Sequence, residues 1–290
     1  MKPAAFRYHA ARTVEEALAL LASADGDAKL LAGGQSLVPM MNFRLVRPTR
    51  LIDLNGIGAL AGVSARNGAL VIGAMTRQAD AERNALVRER APLLAEALPL
   101  IGHAAIRNRG TVGGSLAHAD PAAELPVVAL ALDARMTVRG AAGTREVAAE
   151  DFFVSLLTTA LEPGEILTDV VLGAWRPGWG WSFLEFSRRH GDFAVVSVAV
   201  VLAIEGGRLT QPLRIVLGGV GDRPARAREA ERLLVGQPPT PEAFEAAARA
   251  AVAGLDPPAD VHGSSEYRRD VARVYTGRAL EAAAARARAA

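Results

Sequence analysis

Ala32-Gly33-Gly34-Gln35-Ser36 and Thr111-Val112-Gly113-Gly114-Ser115 are the two stretches that decide the fold, and they stand about eighty residues apart. Each follows an apolar or extended run and ends in a small hydroxyl residue. A Gly-Gly pair carries no Cβ, so backbone N–H groups can converge on one point. Converging N–H groups form an anion-binding concavity. Two such concavities suit two adjoining phosphates, so these first and second glycine stretches predict a dinucleotide ligand.

The first glycine stretch matches neither of the common nucleotide motifs. It is not G-x-G-x-x-G with an acidic residue at the Rossmann offset, and no Lys-Ser/Thr pair follows its glycines as in a P-loop. Taken alone, it has two interpretations: a phosphate-binding loop with extra donors from Gln35 and Ser36, or a tight turn between a strand and a helix.

The second glycine stretch is followed by a nearly all-apolar segment, residues 122–132, which is predicted to be a buried helix. Asp120 is its expected N-cap and Pro121 its first residue. The N-terminus of such a helix favours a nearby anion. Glu124 either lies on a solvated edge or accepts a hydrogen bond from a sugar hydroxyl or an amine.

The composition excludes several kinds of site. The 290 residues include no cysteine, so this chain holds no disulfide, thiolate zinc site, cysteine-bound iron–sulfur cluster or cysteinyl–flavin link. His103 and His118 flank the second glycine stretch without a carboxylate or cysteine partner, which does not indicate a metal site. No nucleophile elbow or acid–base carboxylate couple is visible. We therefore expect no metal and no catalytic side chain, with the chemistry supplied by a cofactor.

Charge and hydropathy point to an ordinary globular protein. The 33 basic and 31 acidic residues give a net charge of +2, and the arginines are too scattered for a nucleic-acid interface. The N-terminus lacks the apolar core of a secretory signal. The longest apolar run, residues 193–204, is too short to span a bilayer. The expectation is a cytoplasmic protein with no membrane span.

A proline- and glycine-rich segment, residues 175–180, suggests a boundary between two domains, 1–176 and 177–290.

In the first domain, Thr13-Val14-Glu15-Glu16 predicts the start of a helix that ends at Ala24-Asp25-Gly26-Asp27. Short strands are expected around residues 29–32, 50–54, 69–73, 135–138 and 144–147, and a helix broken at Pro92 over 78–100. In the second, strands 181–188, 194–205 and 213–218 predict a three-stranded antiparallel sheet, with helices over 227–235, 241–253 and from 264 onward.

Three ordered signatures resemble those of a known family. The first is Ala32-Gly33-Gly34-Gln35-Ser36, followed by Pro39-Met40 and Arg47-Pro48; the second runs over residues 106–121. The third is Ser187-Arg188-Arg189-His190-Gly191-Asp192-Phe193-Ala194. Together they resemble the FAD-binding medium subunit of molybdenum hydroxylases of the carbon monoxide dehydrogenase and xanthine dehydrogenase type. The resemblance covers nearly the whole chain.

The resemblance implies an α+β fold: a two-subdomain FAD-binding domain, as in the vanillyl-alcohol-oxidase (PCMH-type) flavoproteins, followed by an α+β C-terminal domain. It also implies cofactor contacts. Residues 32–37 (Ala32, Gly33, Gly34, Gln35, Ser36 and Leu37) and the second stretch (Thr111, Gly113, Gly114 and Ser115) would wrap the pyrophosphate. Asp120 and Glu124 would lie along the ribityl or ribose path, Leu161 would line the flavin or adenine pocket, and Phe193 would lie beside the isoalloxazine ring. At Glu185, some relatives carry a lysine.

The resemblance further implies an assembly. A large subunit with the molybdenum cofactor oxidises the substrate, a small subunit with two [2Fe–2S] clusters passes electrons on, and the FAD subunit delivers them to an external acceptor. Two other hypotheses stay open. In the first, the chain is a free-standing FAD-dependent oxidase or dehydrogenase. In the second, it is a non-catalytic scaffold subunit whose glycines only form turns.

Overall fold

Sheets of three, five and four strands and one two-stranded hairpin organise the chain. The computed structural model describes residues 1–24 and 27–289. Within these residues, no helix is both long and apolar enough to cross a bilayer.

The first unit is a small parallel sheet. Its elements are β1 (Arg7–Ala10), α1 (Val14–Ala22), β2 (Ala28–Leu31), α2 (Leu37–Asn42) and β3 (Arg50–Asp53). β1 and β2 both pair in parallel with β3, and α1 and α2 make the crossovers that parallel pairing needs. Thr13 accepts a hydrogen bond from the Glu16 amide at 3.1 Å and caps α1, as expected. The turn expected at Asp25-Gly26 lies outside the described residues.

The second unit is an antiparallel sheet with most of the helices inserted between its second and third strands along the chain. Its elements are β4 (Val63–Arg66), β5 (Ala69–Gly73), α3 (Gln78–Arg83), α4 (Ala85–Arg90), α5 (Pro92–Ala97), α6 (Ala104–Arg107), α7 (Val112–His118), α8 (Glu124–Ala131), β6 (Arg135–Gly140), β7 (Gly143–Ala148), α9 (Ala149–Phe152), β8 (Phe153–Ser155), β9 (Thr158–Thr159) and β10 (Ile166–Leu172). The sheet order is β4-β5-β10-β6-β7, while β8 and β9 form a separate hairpin.

Two helix predictions in this unit need correction. The helix expected over 78–100 breaks at Asn84 as well as at Pro92, because the Asn84 side chain accepts the Leu86 amide at 2.9 Å and caps α4. The helix expected from Ala122 begins only at Glu124. Asp120 Oδ1 accepts the Ala122 amide at 2.9 Å and so closes a turn before the helix instead of capping it. α8 is buried along its whole length, as expected.

The third unit is an antiparallel sheet covered by helices. Its elements are β11 (Gly180–Phe186), β12 (Val196–Glu205), β13 (Arg208–Gly218), β14 (Ala225–Arg226), α10 (Arg228–Leu234), α11 (Pro241–Val252) and α12 (Ser265–Ala289). The three expected strands are present, and the two-residue β14 adds a fourth at the edge. Glu205 pairs with Arg208 across a two-residue Gly206-Gly207 turn, as expected. The alanine- and arginine-rich end continues α12 as far as Ala289.

α8 connects the second and third units through a shared core. It packs against β12 and β13, and the core around it includes Phe183, Val201 and Val216 of the third sheet. The other face of that sheet packs against α10, α11 and α12. Because β12 is buried on both faces over residues 196–203, its residues are nearly all apolar and do not alternate with polar ones, Ser197 being the exception.

Candidate functional site

The first glycine stretch leaves a row of backbone N–H groups without partners. It joins β2, which ends at Leu31, to α2, which begins at Leu37. None of the amides of residues 33–37 has an acceptor among the described residues. Gly34 has a φ of +73°, which glycine adopts without strain. Free amides at the start of a helix suit an anion, so this stretch has the donors that a phosphate-binding loop requires.

The second glycine stretch has a different role from the one expected. Its amides are already used inside the protein: Val112 donates to the Thr76 carbonyl at 3.0 Å, Gly113 to the Ala74 carbonyl at 2.8 Å, and Gly114 to Thr111 Oγ1 at 3.0 Å. The amides of Val112, Gly113 and Gly114 therefore do not form the second anion-binding concavity that was expected, and for these three donors the expectation is wrong. Direct contacts of Thr111, Gly113, Gly114 and Ser115 with a ligand stay a prediction.

The glycines of the second stretch instead allow close packing. A Cβ on Gly113 would lie 2.4 Å from Ala74 Cβ, and one on Gly114 would lie 3.2 Å from Ala32 Cβ in the first stretch. Both distances are shorter than ordinary carbon–carbon contacts. The second stretch is therefore a surface against which the first stretch packs.

Gly33 brings the two stretches into direct contact. A Cβ on Gly33 would lie 2.4 Å from the Arg109 carbonyl oxygen and 2.7 Å from Gly110 Cα. Only glycine can bring one backbone this close to another. The two stretches thus form one continuous surface, as binding of a single diphosphate requires.

Side chains that sequence reasoning missed hold this contact in place. Asn55 Nδ2 donates to the Ala32 carbonyl at 2.9 Å. Arg77 Nη2 donates to Asn55 Oδ1 at 2.5 Å, and Arg77 Nη1 donates to the Arg109 carbonyl. One amide and one guanidinium therefore connect the two glycine stretches. Nothing in the sequence around Asn55 or Arg77 signals this role, because it exists only once the chain has folded.

Charged side chains of both signs surround the contact between the two stretches. Burial and the nearby charge of Arg109 lower the pKa of Arg77 from its ordinary value, which places two cations close together beside the contact. Asp53 lies nearby. Although burial pushes its pKa upward, hydrogen bonds from Tyr8 and Asn55 outweigh burial, and the pKa of Asp53 is lowered. Arg77 and Arg109 are the cations available to a diphosphate here, and Asp53 and Asp80 offset part of their charge.

The third signature, residues 187–194, meets the region just before the second glycine stretch. Gly191 has a φ of +88°, and a Cβ there would lie 2.3 Å from His103 Cε1. The rings of His103 and His190 stack with centroids 6.4 Å apart. Phe193 is 70% exposed. An aromatic side chain left this exposed is available to contact a planar ligand.

Glu124 is not on a solvated edge. It is only 5% exposed at the start of α8, and burial raises its pKa to about 7, with a smaller contribution from Asp120. The solvated interpretation is therefore excluded for Glu124. Asp120 is half-buried and is used by the Ala122 amide.

Leu161 follows β9, whose hairpin packs against α7, and it lies partly buried against the main core. Its side chain is thus on the same part of the molecule as the second glycine stretch. The place of Leu161 in a ligand pocket stays a prediction.

Comparisons with known proteins agree with these signatures. Residues 4–175 match the family described as the FAD-binding domain in molybdopterin dehydrogenase, and residues 181–283 match the CO dehydrogenase flavoprotein C-terminal domain. The chain is 45% identical to the 6-hydroxypseudooxynicotine dehydrogenase complex subunit alpha of Paenarthrobacter nicotinovorans, over 99% of this chain and 97% of that one. It is 40% identical to the carbon monoxide dehydrogenase medium chain of Hydrogenophaga pseudoflava, over 99% of each.

The chain belongs to the FAD-binding medium subunits of molybdenum hydroxylases.

Solved structures of this family superpose closely. The carbon monoxide dehydrogenase of Hydrogenophaga pseudoflava gives a TM-score of 0.97 at 42% identity, covering 99% of both chains. Quinoline 2-oxidoreductase from Pseudomonas putida 86 gives 0.94 at 40% identity, covering 99% of this chain and 100% of that one. The resemblance seen in the sequence and the expected fold are both confirmed. As a member of this family, the protein is an oxidoreductase component whose cofactor is FAD.

The residues present fit FAD on structural grounds alone. The free amides of residues 33–37 match the negative charge of a pyrophosphate, and the close contact of Gly33 with residues 109–110 brings the second stretch beside them. Within residues 1–24 and 27–289, no group of three or more His, Cys, Asp or Glu side chains could hold a metal ion.

Proposed function

We propose that this medium subunit receives electrons from the [2Fe–2S] clusters of a small subunit and passes them through FAD to an external acceptor. A large subunit with the molybdenum cofactor would oxidise the substrate. The observation that carries the proposal is the first glycine stretch, with its free amides clamped against the second stretch. This arrangement holds a redox nucleotide on a chain that has no cysteine for clusters of its own.

In the proposed complex, each part of the site has a separate task. The amides of residues 33–37 bind the pyrophosphate, Arg77 and Arg109 balance its charge, and Phe193 shields one side of the ring system. Bound FAD supplies the redox chemistry, since it takes up and releases electrons. The protein fixes the position of the cofactor and the field around it.

The substrate is proposed to be chosen by a partner subunit. Chains that match this one over nearly their whole length belong, by their names, to enzymes acting on carbon monoxide, 6-hydroxypseudooxynicotine and quinoline. Their flavin subunits are alike although these substrates differ in size and chemistry. A substrate pocket on another subunit accounts for both facts.

Exposed apolar side chains beside the first glycine stretch support docking of a partner. Val38, Phe43 and Leu45 are 41%, 67% and 74% exposed on and just after α2. Exposed arginines, Arg44 and Arg47, lie among them. Large apolar residues left in water next to a cofactor site are typical of a subunit interface.

We also propose that the chain divides into domains 1–176 and 177–290 and that the assembly is cytoplasmic. The gap between the two family matches, at residues 176–180, supports the division. Limited proteolysis at the boundary tests the first statement, and fractionation of cells carrying the tagged chain tests the second.

The main proposal is tested by comparing the isolated chain with the co-expressed complex. The isolated chain should purify yellow and release FAD on denaturation, and substrate should not bleach its flavin. Adding the molybdenum and iron–sulfur subunits should make flavin reduction depend on substrate. Reduction of flavin by substrate in the isolated chain would instead establish a free-standing dehydrogenase, and a chain unable to bind FAD would establish a scaffold.

A further inference from the structure

We infer that Asp260 and Arg268, two residues of the third unit, are positioning residues for the flavin. Neither of them belongs to one of the three family signatures. Both act on the third signature, residues 187–194, by fixing the loop that this signature forms. The inference rests on the proposed function, in which Phe193 of that loop lies beside the ring system of FAD.

The third signature forms a loop between two neighbouring strands. It follows β11, which ends at Phe186, and leads to β12, which begins at Val196. The Val195 amide donates to the Phe186 carbonyl at 2.7 Å and closes the base of the loop. Residues 188–190 and 192–193 are exposed. A loop with so few buried side chains depends for its order on contacts with other segments.

Arg268 supplies such a contact at the base of the loop. It lies in the first turn of α12 and is only 5% exposed. Its Nη1 donates to the Val195 carbonyl at 2.6 Å and to the Gly219 carbonyl at 3.3 Å. The pairing of β12 with β13 ends at Ser197 and Gly218, so both carbonyls lie just beyond the ladder. Because buried carbonyls require a donor, the guanidinium takes the place of a further strand pair.

Gly219 connects this base to the second signature, residues 106–121. Its amide donates to the carbonyl of Pro121, the last residue of that signature, at 2.9 Å. Gly219 has a φ of +74°, and a Cβ there would lie 2.4 Å from the Val195 carbonyl oxygen. The ends of the second and third signatures therefore meet at Gly219, and Arg268 binds on both sides of this meeting point.

Asp260 holds the guanidinium of Arg268 in one orientation. Its Oδ2 accepts a hydrogen bond from Arg268 Nη2 at 2.7 Å. Its Oδ1 accepts the amides of His262 at 2.8 Å and Gly263 at 3.2 Å, which closes a tight turn over residues 260–263. A charge-assisted bond to a planar guanidinium is directional. One carboxylate therefore fixes both the turn and the arginine.

The same segment holds the beginning of the loop. Arg188, the second residue of the third signature, donates from Nη2 to the Val261 carbonyl in the tight turn at 3.1 Å. Phe186, just before the loop, packs edge to face with Tyr267, and their ring centroids are 6.1 Å apart. Segment 260–268 therefore contacts the loop at both of its ends.

The tip of the loop faces the FAD-binding half of the molecule. Gly191 packs against the ring of His103, and Phe193 extends into solvent with 70% exposure. Asp260 and Arg268 touch neither residue. They act by fixing the ends of a short loop, so their loss should change where Phe193 lies without removing any side chain from the site.

Hydrogen exchange of the apoprotein tests the hold on the loop. Arg268→Lys keeps the charge but cannot donate in one plane to two carbonyls and a carboxylate. Asp260→Asn is nearly isosteric, and the residue is exposed, so the core stays unchanged. Arg273→Gln is the control, because it breaks an ion pair with Glu245 on the same helix, α12.

Backbone amides of residues 187–194, followed by mass spectrometry, should exchange about tenfold faster in the Arg268→Lys and Asp260→Asn proteins and at the wild-type rate in the control. Unchanged exchange in both variants would overturn the inference.

Titration of the same proteins with FAD tests the effect on the flavin. Arg268→Lys and Asp260→Asn should each weaken FAD binding about tenfold and change the absorption spectrum of the bound flavin, while Arg273→Gln should do neither. Adding Phe193→Ser to Arg268→Lys should weaken binding no further than Phe193→Ser does alone, because both changes act through one ring.

Two results of this titration would count against a positioning role. Additive losses of affinity in the double variant would overturn it, and so would an unchanged flavin spectrum in both single variants. Failure of the wild type to bind FAD would contradict the proposed function. Normal binding of FAD with unchanged exchange of the loop would contradict this inference alone.

Discussion

Arg77 Nη2 lies 2.5 Å from Asn55 Oδ1, and this hydrogen bond connects the two glycine stretches of the FAD site. Asn55 holds the carbonyl of Ala32 in the first stretch, while Arg77 holds the carbonyl of Arg109 just before the second. The arrangement of the backbone around the pyrophosphate site thus depends on two side chains. Neither needs to touch the cofactor to affect its binding.

Replacing Arg77 with methionine should weaken FAD binding about tenfold or more, since it removes two hydrogen bonds and a charge worth about 1.5–3 kcal/mol. Titration of the apoprotein with FAD, followed by quenching of flavin fluorescence, gives the dissociation constant. Arg66→Met on exposed β4 is the control and should bind FAD as the wild type does. Equal FAD affinity of the two variants would show that the hydrogen bonds of Arg77 do not contribute to FAD binding.

The Gly33→Ala variant should lose both stability and FAD. Its new Cβ would meet the Arg109 carbonyl at 2.4 Å, so the backbones of the two stretches must separate, at a cost of about 1–3 kcal/mol. Gly58→Ala is a suitable control because no atom lies within 4 Å of the Cβ it adds. Calorimetry and flavin content after gel filtration provide the comparison. A Gly33→Ala protein that remained fully yellow would disprove the contact.

Thr111 and Thr240 allow a matched test of a helix cap beside the cofactor and one far from it. Each side chain accepts the amide three residues on, Gly114 for Thr111 and Ala243 for Thr240. Substitution by valine should destabilise either variant by about 1 kcal/mol. Only Thr111→Val should also reduce FAD affinity, because loss of the cap loosens the first turn of α7, which packs against Ala32 of the first stretch. Similar FAD affinities for the two variants would contradict the assignment.

Two exposed phenylalanines should give opposite phenotypes. Phe193→Ser should change the flavin absorption spectrum and lower FAD affinity, while Phe43→Ser should leave both unchanged but weaken assembly with the partner subunits. Since the side chains are 70% and 67% exposed, neither change should alter apoprotein stability by more than about 0.5 kcal/mol. Analytical ultracentrifugation of the co-expressed complex and flavin titration distinguish the two effects. If Phe193→Ser weakened only assembly and Phe43→Ser weakened only FAD binding, both proposed roles would be refuted.

Features that depend on only a few neighbouring residues, such as helix caps and tight turns, could be predicted from the sequence. The Thr13 cap and the Gly206-Gly207 turn each act over a few residues, and each is found where the sequence indicates. The family signatures added the cofactor, which local patterns alone left as an unspecified dinucleotide.

The features that could not be predicted depend on the folded structure beyond the local sequence pattern. The amides of Val112 and Gly113 are bound by carbonyls on the segment around Ala74 and Thr76, which no pattern in the second stretch indicates. The central strand β10 was missed because a register shift between Leu167 and Asp169 interrupts its alternation. Asn55 and Arg77 join positions distant in sequence, and so their role depends on the folded chain.

The direct backbone contact between Gly33 and residues 109–110 is formed entirely by residues of this chain, without help from a partner subunit. A receptor that is already shaped before its ligand arrives loses little freedom on binding. We therefore expect an isolated chain to take up its flavin before it meets the proposed molybdenum and iron–sulfur partners. Maturation of the complex would then begin with a yellow intermediate.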